Sequence, residues 1–350
     1  MKVYKYTPHI KLFLESSALK LTPTFQLNDP FEAKITDSFI DNFEIEYKKI
    51  FKDNYKGVLP KIKKDLQDLN QYQGVISLSK KPLDILMLSH YASDHTGGIL
   101  EFEVNALNDG YFNDTNLFDR DHDRTFKFGN VKYNDSRRYE LNEDFNEYLS
   151  TEVYFDKYSA WKAEKEVRYV SDFRYSDYII IPKSSLVNSY FEDIKKVSHL
   201  DMVSWQIEGD SFYYIFKSYD CDSGEERLYR SKKKKIRSIV GKIFGSNISS
   251  YEETSDNVNL KLKCSKSSFF GIDHAISWRT FTSKNCDFHP MIKVNRDALT
   301  GIYLGCRFNK DVLNESSLNL FPNLSKNVMQ AELCGKEFKL NLSNIFEIRN

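Results

Sequence analysis

The segment from residue 74 to residue 104 constrains the fold of this chain most, because several structural patterns follow one another within it. Residues 74–79 form a β-prone run that ends in hydroxyl side chains, and Pro82 suits the first turn of a helix, where its missing N–H leaves no hydrogen bond unmade. Gly97 and Gly98 are typical of a helix end, and residues 99–104 alternate as a half-buried strand does. The segment therefore predicts a strand, a helix, a glycine turn and a second strand.

Polar side chains gather where this predicted helix ends. His90 and Asp94 have the spacing that places two side chains on one face of a helix, and Tyr91 and His95 stand beside them. Such polar density is unusual in a packed segment, so the helix end is the first candidate for a functional site.

Composition sets broad limits on the class of protein. The 350 residues are 41% hydrophobic and 15% aromatic, which is enough apolar surface for a sizeable core. Lysine plus arginine and aspartate plus glutamate both total 50, so zero net charge gives no overall attraction to nucleic acid or to a membrane surface. The basic run at residues 230–237 is a local exception. It predicts either a nucleic-acid contact or a solvated helix face, at Lys232, Lys233, Lys234 and Lys235.

The sequence shows no signal for membrane insertion or for disulfide bonding. No apolar run reaches the ~20 residues of a membrane-spanning helix, and the first residues lack the apolar stretch of a secretory signal. The five cysteines are widely spaced and form no Cys-x-x-Cys pair, which indicates reduced, buried thiols. We therefore expect a cytoplasmic protein that makes no membrane contact.

Strand-like and helix-like segments alternate along most of the chain. This favours the α/β class (mixed α+β), with a central mixed sheet and flanking helices. Residues 186–290 differ from the rest, because they hold the basic run and two of the three tryptophans. We predict a core domain formed by residues 1–185 together with 291–350, and an inserted lobe at 186–290 that supplies selectivity for a partner or substrate.

Short motifs occur in a fixed order along the chain, and their set is more specific than any one of them. They are Tyr4-Lys-Tyr6, Asn28-Asp-Pro-Phe-Glu32, Ile76-Ser-Leu-Ser79, Met87-Leu-Ser-His-Tyr-Ala-Ser-Asp-His-Thr-Gly97, Trp161-Lys-Ala-Glu-Lys-Glu-Val-Arg168 and Ile302-Tyr-Leu-Gly305. Together they resemble a bacterial family catalogued as domain of unknown function 2971, over residues 1–107, 128–183 and 291–342. That family usually has tryptophan where Leu88 or its neighbour stands. The resemblance implies a bacterial intracellular protein and implies no activity.

Some of these motifs also occur in the order used by ADP-ribosyltransferases. Those enzymes combine a basic or aromatic first strand, a Ser-x-Ser strand and a Glu-x-Glu motif. This chain offers Lys5 and Tyr6, then Ser77-Leu-Ser79, then Glu164-Lys-Glu166. Lys5 stands where an arginine is usual, and lysine cannot make the bidentate phosphate contact of arginine. The order predicts an ADP-ribosyltransferase-like enzyme of the toxin or phage-defence type, with NAD as co-substrate.

The hypothesis assigns roles to particular side chains. Glu166 would stabilise the oxocarbenium-like transition state on the nicotinamide ribose, and Glu164 would activate the acceptor. Arg168 would keep Glu166 ionised by its opposite charge. We expect one cleft with three catalytic candidates, Glu166, Glu164 and His90. We expect it to be surrounded by substrate-binding candidates, namely Tyr6, Asn28, Asp29, Glu32, Ser77, Tyr91, His95, Trp161 and Arg168.

Two alternatives stay open at this point. His90, Asp94, His95, Glu164 and Glu166 are suitable ligand types for a metal-dependent nuclease or hydrolase, although no established metal-binding signature joins them. The same residues could instead be structural, in a binding protein that recognises an unknown small molecule or nucleotide without catalysis.

Overall fold

A computed structural model describes residues 1–51, 60, 72–105, 116–118, 126–137, 151–173, 176–197, 201–219, 226–244, 248–262, 287–324 and 327–345. The chain divides into two compact units, Met1–Phe173 with Ile292–Asn350, and Arg174–Met291. Helices and a large mixed sheet confirm the α/β class. The role of residues 186–290 as an inserted lobe stays a prediction.

The first part of the larger unit contains nine strands and four α-helices among its described residues. In chain order they are β1 (Lys2–Thr7), α1 (Ile10–Ser16), β2 (Ala18–Lys20), β3 (Thr22–Pro23), α2 (Asp37–Phe51), β4 (Gln73–Ser79), α3 (Ile85–Tyr91), β5 (Gly98–Glu103), β6 (Phe126–Asn130), β7 (Lys132–Asn134), α4 (Val153–Phe155), β8 (Asp156–Tyr158) and β9 (Glu166–Asp172). Short 3-10 helices occupy Thr24–Gln26 and Ser159–Glu164.

The smaller unit follows. Its elements are β10 (Tyr178–Pro182), α5 (Lys183–Val197), β11 (Asp201–Glu208), β12 (Ser211–Tyr219), β13 (Glu226–Arg230), β14 (Lys234–Lys235), α6 (Ile236–Phe244), β15 (Ile248–Glu253) and β16 (Asn257–Leu262), with β17 (His289–Lys293) at its boundary. The chain then completes the larger unit with 3-10 helices at Arg296–Ala298 and Lys310–Val312, and with β18 (Leu299–Leu304), α7 (Glu315–Leu318), β19 (Val328–Leu333) and β20 (Leu340–Asn344).

A nine-stranded mixed sheet organises the larger unit. Its order is β20-β19-β18-β5-β1-β4-β9-β6, and β3 pairs with β4 outside this path. The pairings are antiparallel except the parallel pair of β18 and β19. Every residue of β9 is buried, so this strand crosses the middle of the core. In this strand order β1, β4 and β9, which carry or adjoin the sequence motifs, are consecutive neighbours. We call them the motif strands.

The sheet is loosely joined between β1 and β4. Among the described residues, one pair of Cα partners, Tyr4 and Ser79, joins these strands, whereas β1 pairs with β5 along its whole length. The Lys5 side chain bridges part of the gap, because its Nζ donates to the carbonyl oxygen of Ser77 at 3.0 Å. Divergence of β1 from β4 leaves room for a cleft at this point.

The strand, helix and second strand predicted for residues 74–104 are all present, but the helix is shorter than predicted. The helix α3 begins after Asp84, whose Oδ1 accepts a hydrogen bond from the Met87 amide at 3.0 Å and caps the helix. It ends at Tyr91, before the glycine pair. Leu88 is buried against a cluster that includes Tyr4 and Tyr6, which fixes the helix over the first strand.

Local periodicity also predicts helices over residues 10–19, 39–72 and 143–158, and two of these assignments need correction. The first helix ends at Ser16, and Ala18–Lys20 forms β2 instead. The helix predicted for residues 143–158 is wrong at its end, because Asp156–Tyr158 pairs as a parallel strand with β7. The helix predicted for residues 39–72 is observed as Asp37–Phe51, and its remainder lies almost wholly outside the described residues.

The smaller unit contains two sheets and two helices in its described part. One sheet has the order β15-β16-β10-β17, and the other has the order β11-β12-β13 with β14 paired to β12. The basic run enters the second sheet as β14 and then becomes α6, so the helix-face alternative fails for its lysines.

Most of the exposed lysines of the basic run already have partners. Lys233 pairs with Glu208, Lys235 pairs with Asp210, and the Nζ of Lys234 lies 5.5 Å from the centroid of the Tyr214 ring. These contacts reduce the positive charge that the run offers. Nucleic-acid binding there stays a prediction.

Within the described residues, no helix is long and apolar enough to cross a membrane. Cys306 and Cys334 are free thiols, as expected, but both are partly exposed, so the prediction of burial is wrong for them.

Candidate functional site

The motif strands and the helix α3 line one cleft, which we call the motif cleft. It encloses about 70 Å³ of free volume. Its walls are Tyr4, Lys5, Tyr6, Leu27, Asn28, Glu32, Ser77, Leu78, Ser79, Met87, Tyr91, Lys157, Glu164 and Glu166. Aromatic rings, hydroxyls and carboxylates thus meet where β1 diverges from β4.

A buried lysine connects the carboxylates of the cleft. The Nζ of Lys157 lies 2.7 Å from Glu164 Oε2 and 3.0 Å from Glu166 Oε2. It also lies 3.0 Å from Glu32 Oε1. Lys157 and all three glutamates are buried, so these contacts are little weakened by solvent. One ammonium group therefore holds three carboxylates together.

Arg168 supports Glu166 from inside the sheet. Its side chain is 0% exposed, its Nε donates to Glu166 Oε1 at 2.8 Å, and its Nη2 donates to Glu166 Oε2 at 3.0 Å. The Nη1 donates to the Tyr154 carbonyl at 2.6 Å, and the Nη2 also lies 3.0 Å from Glu32 Oε1. This two-point contact fixes the plane of the Glu166 carboxylate.

Glu164 reaches the same cluster from outside the strand. The alternation of residues 164–170 predicts Glu164, Glu166 and Arg168 on one face of a strand. This is wrong for Glu164, which ends a 3-10 helix, because Lys165 adopts a left-handed backbone conformation (φ 47°) before β9 begins. This turn brings both glutamates to Lys157. The Tyr91 hydroxyl donates to Glu164 Oε1, which ties α3 to the carboxylate pair.

The charges of the cluster shift the pKa values of its members. Burial would raise the pKa of Glu166, but the positive charges of Arg168 and Lys157 outweigh it and lower this pKa to about 2. Burial lowers the pKa of Lys5 to about 8, against the opposing attraction of Glu166. Burial also raises the pKa of Tyr133, whose hydroxyl oxygen accepts a hydrogen bond from the Glu166 amide, to about 12. At neutral pH, Glu166 is ionised and Tyr133 is neutral.

Part of this site lies in a segment with a known family pattern. Residues 87–169 match the family model described as Protein of unknown function (DUF2971). We call these residues the DUF2971 segment, after the family model that they match. The resemblance inferred from the ordered motifs is confirmed over these residues. No curated protein matches the chain, and no solved structure does either.

The DUF2971 segment supplies one side of the motif cleft. Tyr91, Lys157, Glu164 and Glu166 come from it, and so does Arg168 behind them. The opposite side comes from earlier parts of the chain, as predicted for Tyr6, Asn28, Glu32 and Ser77. The structure thus brings most of the candidate residues together, although their roles stay predictions.

Two candidates border the cluster without lining the cleft. Asp29 lines a neighbouring cavity, and its Oδ1 accepts a hydrogen bond from the Phe31 amide at 2.8 Å. Trp161, within the DUF2971 segment, presents its ring to Lys157, with the Nζ 5.1 Å from the ring centroid. Both residues therefore act on the cluster from outside.

The two candidate histidines, His90 and His95, do not line the cleft. His90 is exposed on α3, and its ring lies beside that of Tyr91 at 6.3 Å between centroids. The predicted helical pairing of His90 with Asp94 is wrong, because α3 has ended by then. His95 lies beyond the helix and is held through its backbone, since its carbonyl oxygen accepts from the Arg307 amide at 3.1 Å. Helix shortening explains the positions of Asp94 and His95, whereas His90 lies on the exposed face of α3.

Sequence reasoning missed Lys157 and Tyr133. No motif contains either residue, and Lys157 reaches the site through the pairing of β8 with β7, which joins distant parts of the DUF2971 segment. The one available signal was a lysine two residues after the apolar run at residues 153–155.

Proposed function

We propose that this chain is an ADP-ribosyltransferase-like enzyme that breaks the bond between nicotinamide and ribose in NAD. One observation carries the proposal. The three motifs that suggested this chemistry lie on or beside the adjacent strands β1, β4 and β9, with Tyr4 opposite Ser79 and Ser79 opposite Glu166. Residues from all three motifs then line one cleft.

The electrostatics of the cleft suit this reaction. The cluster holds three carboxylates and three cations, namely Glu32, Glu164, Glu166, Lys5, Lys157 and Arg168. It is therefore formally neutral while Lys5 is protonated, and the negative charge that the reaction needs is local, on the Glu166 carboxylate that lines the cleft. This carboxylate attracts the cationic nicotinamide ring and the positive charge that develops on the ribose in the transition state. The low pKa of Glu166 keeps its carboxylate ionised for that role.

The proposed step balances without any further reactant. The bond between the ring nitrogen and the anomeric carbon breaks, and its electron pair leaves with nicotinamide. A nucleophilic acceptor, or water in its absence, bonds to the anomeric carbon on the opposite face. Glu164 takes the proton that the acceptor loses. Its contact with the Tyr91 hydroxyl orients the carboxylate for this purpose.

Substrate binding requires the cleft to widen. Its free volume of about 70 Å³ is smaller than the ~150 Å³ cavity that holds a benzene ring. Met87 and Leu27 form part of the rim, and both are partly buried. Methionine repacks readily, so we expect the nicotinamide ring to displace Met87 on entry.

A non-catalytic binding role has one observation in its favour. Lys157 already satisfies all three carboxylates, so the cluster is compatible with a purely structural network. The metal-dependent alternative has less support, since the described residues contain no group of histidine, cysteine, aspartate and glutamate side chains arranged to hold a metal ion. It stays a prediction.

The activity test compares wild type with Glu166→Gln and with Glu101→Gln. Glu101 is the matched control, because it is also buried on a strand of the same sheet and pairs with Lys2 at 2.8 Å, yet it lies outside the cleft. Purified proteins are incubated with NAD and the released nicotinamide is measured. We expect release by wild type, a loss of about 100-fold in Glu166→Gln, and little change in Glu101→Gln.

The same samples discriminate the alternatives. If wild type releases no nicotinamide but cleaves nucleic acid with magnesium or manganese, the metal-dependent function replaces this one. If wild type carries out neither reaction, the proposed function fails and Glu166 is a structural partner of Lys157 and Arg168.

A further inference from the structure

A second cavity lies on the other side of Glu32 and Lys157, and the proposed chemistry does not use it. We call it the acidic cavity. It encloses about 270 Å³ and is lined by Asp29, Phe31, Glu32, Asn134, Asp135, Arg137, Asp156, Lys157 and Tyr158. This volume exceeds the ~150 Å³ that holds a benzene ring, so one planar group and a short aliphatic stem fit inside.

The charge in this cavity is not neutralised. Its lining has four carboxylates and two cations, a formal charge of −2. One of the cations, Lys157, is already shared by Glu32, Glu164 and Glu166. The remaining negative charge is open to a positively charged ligand.

Asp29 is the clearest sign of a missing partner. It is 6% exposed and lines the cavity, but no salt bridge to it occurs within the described part of the chain. Its Oδ1 has the Phe31 amide as a donor, which satisfies one lone pair and leaves the charge uncompensated. A buried carboxylate without a cation is costly, and a cationic ligand would remove that cost.

Asp156, which is half-buried, also lines the cavity and has no salt bridge among the described residues. Burial raises its pKa, and the Asn134 amide, which donates to its Oδ1 at 2.6 Å, is a neutral partner. Two carboxylates in one cavity therefore lack a direct cationic partner among the described residues.

Aromatic side chains complete the cavity. Phe31 is 59% exposed and Tyr158 is 52% exposed, so both rings offer accessible apolar surface to the cavity that they line. The Arg137 guanidinium lies 5.8 Å from the centroid of the Phe31 ring, so this wall already accepts a planar cation of the protein itself.

We propose that the acidic cavity is a separate binding site for a planar organic cation, of which a guanidinium group on an aliphatic stem is the best match. Asp29 and Asp156 supply the charge, and Phe31 and Tyr158 supply flat apolar surfaces. The inference does not depend on the proposed NAD chemistry, because it concerns a different cavity and its test measures binding alone.

Calorimetric titration of the full chain with N-acetyl-arginine amide tests the proposal, with the neutral citrulline analogue as the matched ligand control. We expect the arginine compound to bind at least tenfold more tightly.

Asp156→Asn should weaken binding about tenfold or more. Arg137→Ala should strengthen it, because a competing cation is removed. The control variant Asp94→Asn changes an exposed acid outside the cavity and should leave affinity unchanged.

Asp29→Asn gives an independent check on the buried charge. Asparagine can accept the same hydrogen bond from the Phe31 amide, so the turn should survive, and a melting curve verifies the fold.

Binding of butylguanidine in a parallel titration distinguishes a free guanidine ligand from an arginine side chain of a protein. Equal affinity for the citrulline analogue, no binding of the arginine compound, or full affinity in both asparagine variants would each overturn the proposal.

Discussion

Lys5 has the chemical character expected of a site residue, since burial lowers its pKa to about 8 from an ordinary value of 10.5. Its amine should therefore react with acetic anhydride half-maximally near pH 8. Lys2 on the same strand is the control, because its hydrogen bond to Glu101 raises its pKa. Peptide mass spectrometry after labelling at several pH values measures both sites. Equal pH profiles for the two lysines would contradict the burial of Lys5 in the motif cleft.

Glu166 should make stability depend on pH in acid. Its pKa in the folded protein, about 2, lies below the ordinary value of 4.5, so the ionised carboxylate stabilises the fold above about pH 4.5. This contribution is lost as the pH falls toward 2. Glu166→Gln should lower the free energy of unfolding by on the order of 3 kcal/mol at pH 7, and the difference from wild type should shrink in acid.

Urea unfolding at pH 7 and pH 3.5 checks this expectation. Glu103→Gln is the control, because Glu103 is exposed on strand β5 of the same sheet and should show no difference at either pH. A deficit in Glu166→Gln that stays constant between the two pH values would show that Glu166 is not held ionised by Arg168 and Lys157.

At the scale of elements, Lys165 determines how the two glutamates converge. Its left-handed backbone (φ 47°) costs a β-branched residue about 1–2 kcal/mol but costs glycine little. Lys165→Val should therefore lower the free energy of unfolding by about that amount, and Lys165→Gly should leave it unchanged or raise it slightly. Lys162→Val, in the preceding 3-10 helix, is the control for losing an exposed lysine. Equal effects of the two valine substitutions would contradict a strained turn at Lys165.

Local patterns predicted the elements better than they predicted where those elements end. The alternation at residues 99–104 identified β5 correctly. Pro82 indicated the presence of the helix but not its start, because α3 begins three residues later, at Ile85, after the Asp84 cap. The helix end was missed because Ser93, Asp94 and His95 all adopt left-handed conformations, a choice stabilised by contacts such as the Asp94 amide to the Ser89 carbonyl at 3.1 Å. Glycine was therefore not needed there to end the helix.

The candidate site was predictable where its residues belong to motifs, and not where long-range pairing positions them. Ser77 and Glu166 were grouped correctly because each lies on a β-prone run. Lys157 was missed because its place depends on β8 pairing with β7, and no local pattern encodes that contact. The acidic cavity also depends on the pairing of β8 with β7. The sequence therefore did not distinguish this cavity from the motif cleft.

At the scale of the whole molecule, both cavities belong to the larger unit, so that unit should keep its site without the smaller one. Replacing residues 174–291 by a glycine-serine linker should leave a soluble, folded protein. Its Lys5 should still show half-maximal acetylation near pH 8, and any selectivity for a partner should be lost. An insoluble product would show that residues 174–291 are part of the main core.

The central claim is that the motif cleft breaks the glycosidic bond of NAD, and the position of bond cleavage tests it most directly. Wild type is incubated with NAD in water enriched in oxygen-18, without another acceptor, and the products are identified by mass spectrometry. The account predicts nicotinamide together with ADP-ribose that carries the heavy oxygen on its anomeric carbon, and far less of both from Glu166→Gln than from Glu101→Gln. Intact NAD after incubation with wild type, or heavy oxygen on phosphorus in AMP and nicotinamide mononucleotide, would contradict it.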